Sequence, residues 1–167
     1  MMSSLLTIST ASVIVDAITI ALTFTKADIF YSSPDLYEWY EKYRFAAAIL
    51  DILILVIGFG IIDYVANKLK IKQFSAMYYI LGVALQVIHD MLFYGLITII
   101  PKGYDIFDFF KKYAKNDGVW AIIGDSLMII TTGLLYSLLK SRKLSTRAEV
   151  FLLLVSIYIL TYILYLR

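Results

Sequence analysis

The feature that most restricts this chain is a set of polar side chains in the middle of an apolar run. Residues 76–100, AMYYILGVALQVIHDMLFYGLITII, carry Gln86, His89 and Asp90 near their centre. The run is long enough to cross a bilayer, which takes roughly 20 mostly apolar residues. An ionisable group at the centre of such a span costs about 2.5 kcal/mol or more, so it belongs on an inward face and marks a site. At helical spacing Gln86 and Asp90 share a face, with His89 beside them and Tyr79, Phe93 and Tyr94 extending the stripe. His89 is the single histidine of the chain.

Four further runs, residues 4–24, 45–66, 119–139 and 150–166, have the same length and character. Together they make the chain 61% hydrophobic, far above the roughly 45–50% of soluble domains. The expectation is an all-α, polytopic membrane protein: one bundle over residues 1–167, with five transmembrane helices, two short interfacial amphipathic helices and the lipid bilayer as its surroundings. The first run contains Asp16 and lacks a basic leader and a small-residue cleavage site, so it reads as a retained span. A net charge of +2 is too small to imply nucleic acid, and the absence of cysteine excludes disulfides and thiolate metal sites.

Between the first two spans, Ser33-Pro34 reads as a helix cap followed by proline at the first helical position. Leu36, Trp39, Tyr40 and Tyr43 then fall on one face, opposite Asp35, Glu38 and Glu41, the pattern of a helix at the membrane interface. After Pro101-Lys102-Gly103, the residues Ile106, Phe109, Phe110 and Tyr113 repeat that spacing and predict a second interfacial helix over residues 106–113. The first span has a polar stripe, Ser9, Ser12, Asp16, Thr19 and Thr23. Gly58 and Gly60 predict a close helix approach on the second span, and the last span, without charge inside it, reads as scaffold or as a homo-oligomer face.

Offsets from the span midpoints place Asp16, Asp51, Asp90 and Asp125 on the side of the two aromatic loops, roughly 3–6 Å from the midplane at 1.5 Å per residue. Asp63 alone falls in the other half. No lysine or arginine lies within any span, so several carboxylates at one level need protonation, a protonated His89, or a bound cation. Asp16, Asp51, His89, Asp90 and Asp125 are accordingly the candidate ligands for a metal or alkali cation, with Gln86 completing the polar site. Zn, Mn or Fe would accept such ligands, although oxygen donors suit a hard cation or a proton better. Residues 12–51 laid on 86–125 also suggest an internal repeat, since Asp16 to Asp51 and Asp90 to Asp125 have the same separation.

The glycine-aspartate steps Gly58-Phe59-Gly60 with Asp63, and Gly124-Asp125, are similar to elements of intramembrane aspartyl proteases, a family with more spans and a fuller motif. No core lysine is present for a retinal Schiff base. Residues 86–128, with His89-Asp90, Phe93-Tyr94, Pro101, Phe110-Lys111-Lys112-Tyr113-Ala114 and Asp125-Ser126, resemble small multi-span membrane proteins of unassigned function encoded by large DNA viruses. That resemblance implies a host or virion membrane and carries no activity.

The functional expectation is a polar cavity open toward the aromatic loops that binds, and transports, a proton or cation. A membrane-embedded enzyme using the carboxylates as acid, base or metal ligands is the alternative, and a viral-type envelope or assembly protein is the third. The densely basic short loops favour a cytosolic N-terminus and an external C-terminus.

Overall fold

A computed structural model describes residues 2–25 and 33–165, with side chains described from Ser4 onward. They form six helices and, among the described residues, no strand: α1 (Met2–Thr25), α2 (Pro34–Tyr43), α3 (Phe45–Lys68), α4 (Ala76–Ile99), α5 (Asp105–Ser141) and α6 (Thr146–Tyr165). Five of them, all but α2, are long and apolar enough to cross a membrane, as an integral multi-pass membrane protein requires. Residue 166, the last of the fifth expected span, lies outside the described residues.

The local chemistry accounts for the helix ends. Ser33 caps α2 by accepting from the Leu36 amide at 2.9 Å, and Pro34 takes the position where its missing N–H costs nothing. Asp35 in the first turn and Lys42 in the last suit the helix dipole. Only Arg44, at φ +44°, separates α2 from α3, so the chain turns sharply without a loop. Ser75 caps α4, and the Lys111 ammonium donates to the Ile100 carbonyl at 2.6 Å where that helix ends before Pro101.

The expected second interfacial helix is corrected. Residues 106–113 are helical, but as the first turns of α5, which continues unbroken to Ser141. Between Tyr113 and Val119 the weakest helix former is Gly118, which costs only about 1 kcal/mol relative to alanine, and no proline intervenes. At 1.5 Å per residue α5 is about 55 Å long, well beyond the ~30 Å of a hydrocarbon core.

The organising helix is also not the one the sequence suggests. In α1, 56% of the apolar stretch is buried, against 17% in α4. α1 packs against α6, α5, α3 and α2, while α4 lies at the side against α5 and α3. The reason is polarity: of the stripe, Ser12, Asp16 and Thr23 are buried and Ser9 and Thr19 half-buried, and Thr7 and Thr10 are buried as well; in a bilayer the bundle interior is the place where such groups avoid hydrocarbon. Thr7 donates to Glu149 at 2.8 Å and so ties α1 to α6.

Two apolar cores flank the level of Asp16. One gathers Val13, Ala17 and Ile20 with Trp39, Tyr40, Ala47, Phe109, Leu160 and Leu164. The other gathers Ile8 and Ala11 with Leu55, Phe59, Ile62, Tyr78, Ile129 and Tyr136. Close helix approach occurs at Gly82 and Gly133 rather than at Gly58 and Gly60. A Cβ on Gly133 would lie 2.8 Å from the Tyr79 ring and one on Gly82 would lie 3.1 Å from Ile129, whereas Gly60 is exposed and meets nothing. The outward faces are apolar, with Leu92, Phe151 and Leu154 largely exposed.

Candidate functional site

α2 is fixed over the bundle by charge. Asp35, almost fully buried, receives the Lys112 ammonium at 2.7 Å and the Asn116 amide at 2.7 Å, and Lys112 also reaches Glu38 at 2.6 Å. Burial works to raise the Asp35 carboxyl, but the hydrogen bonds from Lys112 and Asn116 and the Lys112 charge outweigh it and hold the group below the ordinary aspartate range. At the other end of α2, Lys42 pairs with Asp105 at 2.5 Å. Trp39 stacks on Phe109 at 5.5 Å between ring centroids, which joins the clamp to the first core.

Held in this way, α2 turns Trp39 and Tyr40 inward. The Tyr40 hydroxyl donates to Asp51 Oδ2 at 2.9 Å, and the Trp39 indole N–H donates to the same oxygen at 3.1 Å. The Tyr40 hydroxyl also lies 3.4 Å from Asp16 Oδ1. Asp16 is completely buried, and its Oδ2 has no hydrogen-bond partner. One turn before it on α1, the buried Ser12 hydroxyl is likewise unpartnered. The open cavity expected at this level is therefore corrected at Asp16, because Tyr40 at 1% exposure and Trp39 at 4% close over it. Apolar rings with one polar atom each can cover a carboxylate and still bond to it.

Gln86, His89 and Asp90 form a separate group. Gln86 is buried and donates from Nε2 to Asp90 Oδ1 at 2.7 Å, while His89 Nδ1 lies 3.1 Å from the same oxygen. The imidazole is parallel to the Phe93 ring at 6.3 Å and its side chain is 46% exposed, on the outside of the bundle. Asp90 Oδ2 is buried without a partner.

Helix register relates these groups. Tyr78 of α4 bonds Asp63 of α3, and twelve residues from that contact in each antiparallel helix, toward the α2 end, stand Asp90 and Asp51. Tyr136 of α5 meets Ser4 of α1, and eleven and twelve residues from that contact stand Asp125 and Asp16. Asp125, half-buried, lies within electrostatic reach of Asp90 and Asp51, and Asp16 within reach of Asp51. The bundle thus sets the four aspartates at similar depth, Asp16 and Asp51 in one bridged group, Asp90 in the other, and Asp125 between the two in electrostatic terms. Among the described residues, no three His, Asp or Glu side chains come together so as to hold a metal ion. The ligand set Asp16, Asp51, His89, Asp90 and Asp125 does not fit a metal as arranged, because His89 faces outward and Asp16, Asp51 and Asp90 lie against tyrosine, tryptophan and glutamine donors.

Asp63 stands apart. It accepts from Tyr78 at 2.7 Å and from the Gln73 amide at 2.8 Å, and the Gln73 carbonyl accepts from Lys140 at 2.7 Å. Trp39 and Tyr40 are the site residues that sequence reasoning assigned elsewhere, to the membrane interface. The signal was present: both carry a hydrogen-bond donor on an amphipathic helix that lies, in sequence, between Asp16 and Asp51. No family model, curated protein or solved structure matches this chain.

Proposed function

We propose that this protein binds a proton or small cation at its buried carboxylates and carries it across the membrane that its five apolar helices span. The observation that supports this reading is the completely buried Asp16, bridged through Tyr40 to Asp51, with no basic side chain paired to either carboxylate among the described residues. A carboxylate without a counter-ion in low dielectric is costly, and a transported cation is the natural compensation. The host or virion membrane implied by the resemblance of residues 86–128 belongs to the same proposal.

The test is flux in proteoliposomes of the full chain, with an internal pH dye and, separately, sodium and potassium reporters. Uptake of one of these ions above empty liposomes supports the reading, and no uptake or binding of any of them overturns it. A second reading rests on His89, whose imidazole stands at the outer surface beside Asp90. A histidine backed by a carboxylate can act as a general base toward an amphiphile, and turnover of lipid substrates that is lost in His89→Gln would favour it.

A further inference from the structure

The hydrogen count at Tyr40 restricts what the site can hold. A phenol has one hydrogen to donate, and the structure places that hydroxyl 2.9 Å from Asp51 Oδ2 and 3.4 Å from Asp16 Oδ1. Asp51 also receives the Trp39 N–H, so the shorter, doubly supported contact takes the tyrosine hydrogen. Asp16 then faces the lone pairs of Tyr40, and its other oxygen has no partner at all. An ionised Asp16 would be an unsolvated, unpaired charge set against an oxygen, whereas a neutral Asp16 can donate to that same oxygen. Among the described residues no basic side chain pairs with Asp16 or Asp51. α2 brings Trp39, α6 brings Leu160 and Leu164, and α5 brings Phe109 to this core, and the groups of α5 within electrostatic reach of Asp51, Tyr113 and Asp125, are electronegative.

We infer that the ligand of this site is a proton, held on Asp16 and relayed to Asp51 through the Tyr40 hydroxyl. This rests on the ion-binding reading above and selects among its ligands. In the resting arrangement the Asp16 carboxyl donates to Tyr40 Oη and Tyr40 donates to the Asp51 carboxylate. For transfer, the O–H bond at Asp16 breaks as one forms at Tyr40, and the original Tyr40 O–H breaks as one forms at Asp51. The trio keeps one negative charge throughout, which moves from Asp51 to Asp16 as the proton equivalent moves the other way. The step carries a proton from the completely buried Asp16 on α1 to the half-buried Asp51 on α3, within electrostatic reach of Asp125, which in turn is within reach of Asp90.

Infrared spectroscopy of the full chain in lipid nanodiscs tests this through the C=O stretch of protonated carboxyl groups, identified by its shift in D2O. Wild type should show such a band at neutral pH, insensitive to added sodium or potassium. Asp16→Asn should abolish it, and Tyr40→Phe should keep it at higher frequency because the carboxyl loses its acceptor. Several results would overturn the inference: no band in wild type, a band unaffected by Asp16→Asn, or an unshifted band in Tyr40→Phe, which carries the test if Asp16→Asn does not fold. If sodium removed the band and released a proton, the proton assignment would fall while ion binding survived. Absence of both the band and any bound cation would remove both.

Discussion

Asp51 and Asp63 stand on one helix, about 18 Å apart, and each accepts a hydrogen bond from a tyrosine hydroxyl, yet their settings differ. At Asp63 the network closes: Tyr78 and Gln73 donate, Lys140 supplies a positive charge through Gln73, and Tyr136 joins Ser4 alongside. At Asp51 it stays open, because the same tyrosine that serves it also faces Asp16, whose second oxygen is orphaned. A completed network ties helices together and has little to gain from binding anything. An incomplete one, buried at the centre of α1, lacks a hydrogen, and that lack is the basis of the proposed proton site.

Neutralising each carboxylate breaks this comparison most directly. In proteoliposomes, Asp16→Asn should lower proton uptake about a hundredfold, the low end of what a positioned acid-base group contributes, while Asp63→Asn should leave uptake unchanged. Equal losses in both variants would show that the two ends do not differ in role. Stability should respond in the opposite sense, since Asp63→Ala strands the Tyr78 hydroxyl and the Gln73 amide, a loss of about 2 kcal/mol seen as a lower midpoint of thermal unfolding in detergent. Asp16→Asn replaces one neutral buried group by another of nearly the same volume and should leave that midpoint close to that of wild type.

Packing provides a control that involves no charge. Gly133→Val should destabilise by about 1–3 kcal/mol, because even a Cβ there would stand 2.8 Å from Tyr79. Gly60→Ala, on an open face, should be neutral or stabilising by up to about 1 kcal/mol. A tolerant Gly133 would show that the α4–α5 contact gives way more easily than its geometry implies.

The smallest effect is expected at the α2 clamp. The Asp35 carboxyl is held below the ordinary aspartate range, so the folded state binds its proton less readily than the unfolded one. Its stabilising contribution is complete above the ordinary aspartate pKa and is lost as pH falls from there through the depressed folded value. Unfolding midpoints measured across the acid range should therefore fall less steeply in Asp35→Asn than in wild type, starting from a slightly lower value. Identical slopes would mean that Lys112 and Asn116 do not hold α2 through this carboxylate.

Much of the molecule could be read before any contact was known. Length and apolarity define five spans, Ser33-Pro34 starts α2 where expected, and depth along each span, including the isolation of Asp63, follows from counting residues. The second interfacial helix could not be separated this way, because a break between Tyr113 and Val119 depends on whether Gly118 is bent by its neighbours, and in this bundle α5 runs straight on. The prominence of residues 76–100 also misled, since composition shows that polar groups must be covered and does not show by which helix.

The sequence by itself determined the membrane-spanning class, the number and order of the spans and the heights of the aspartates along them, because hydrophobic length and the rise of a helix are local properties. Tertiary structure alone decided which helix is central, that Tyr40 stands between Asp16 and Asp51, that His89 faces outward, and that the glycines in close contact are Gly82 and Gly133. Those outcomes depend on the rotation of each helix about its axis, which is settled when whole faces compete for the limited interior and polar oxygens compete for too few hydrogens.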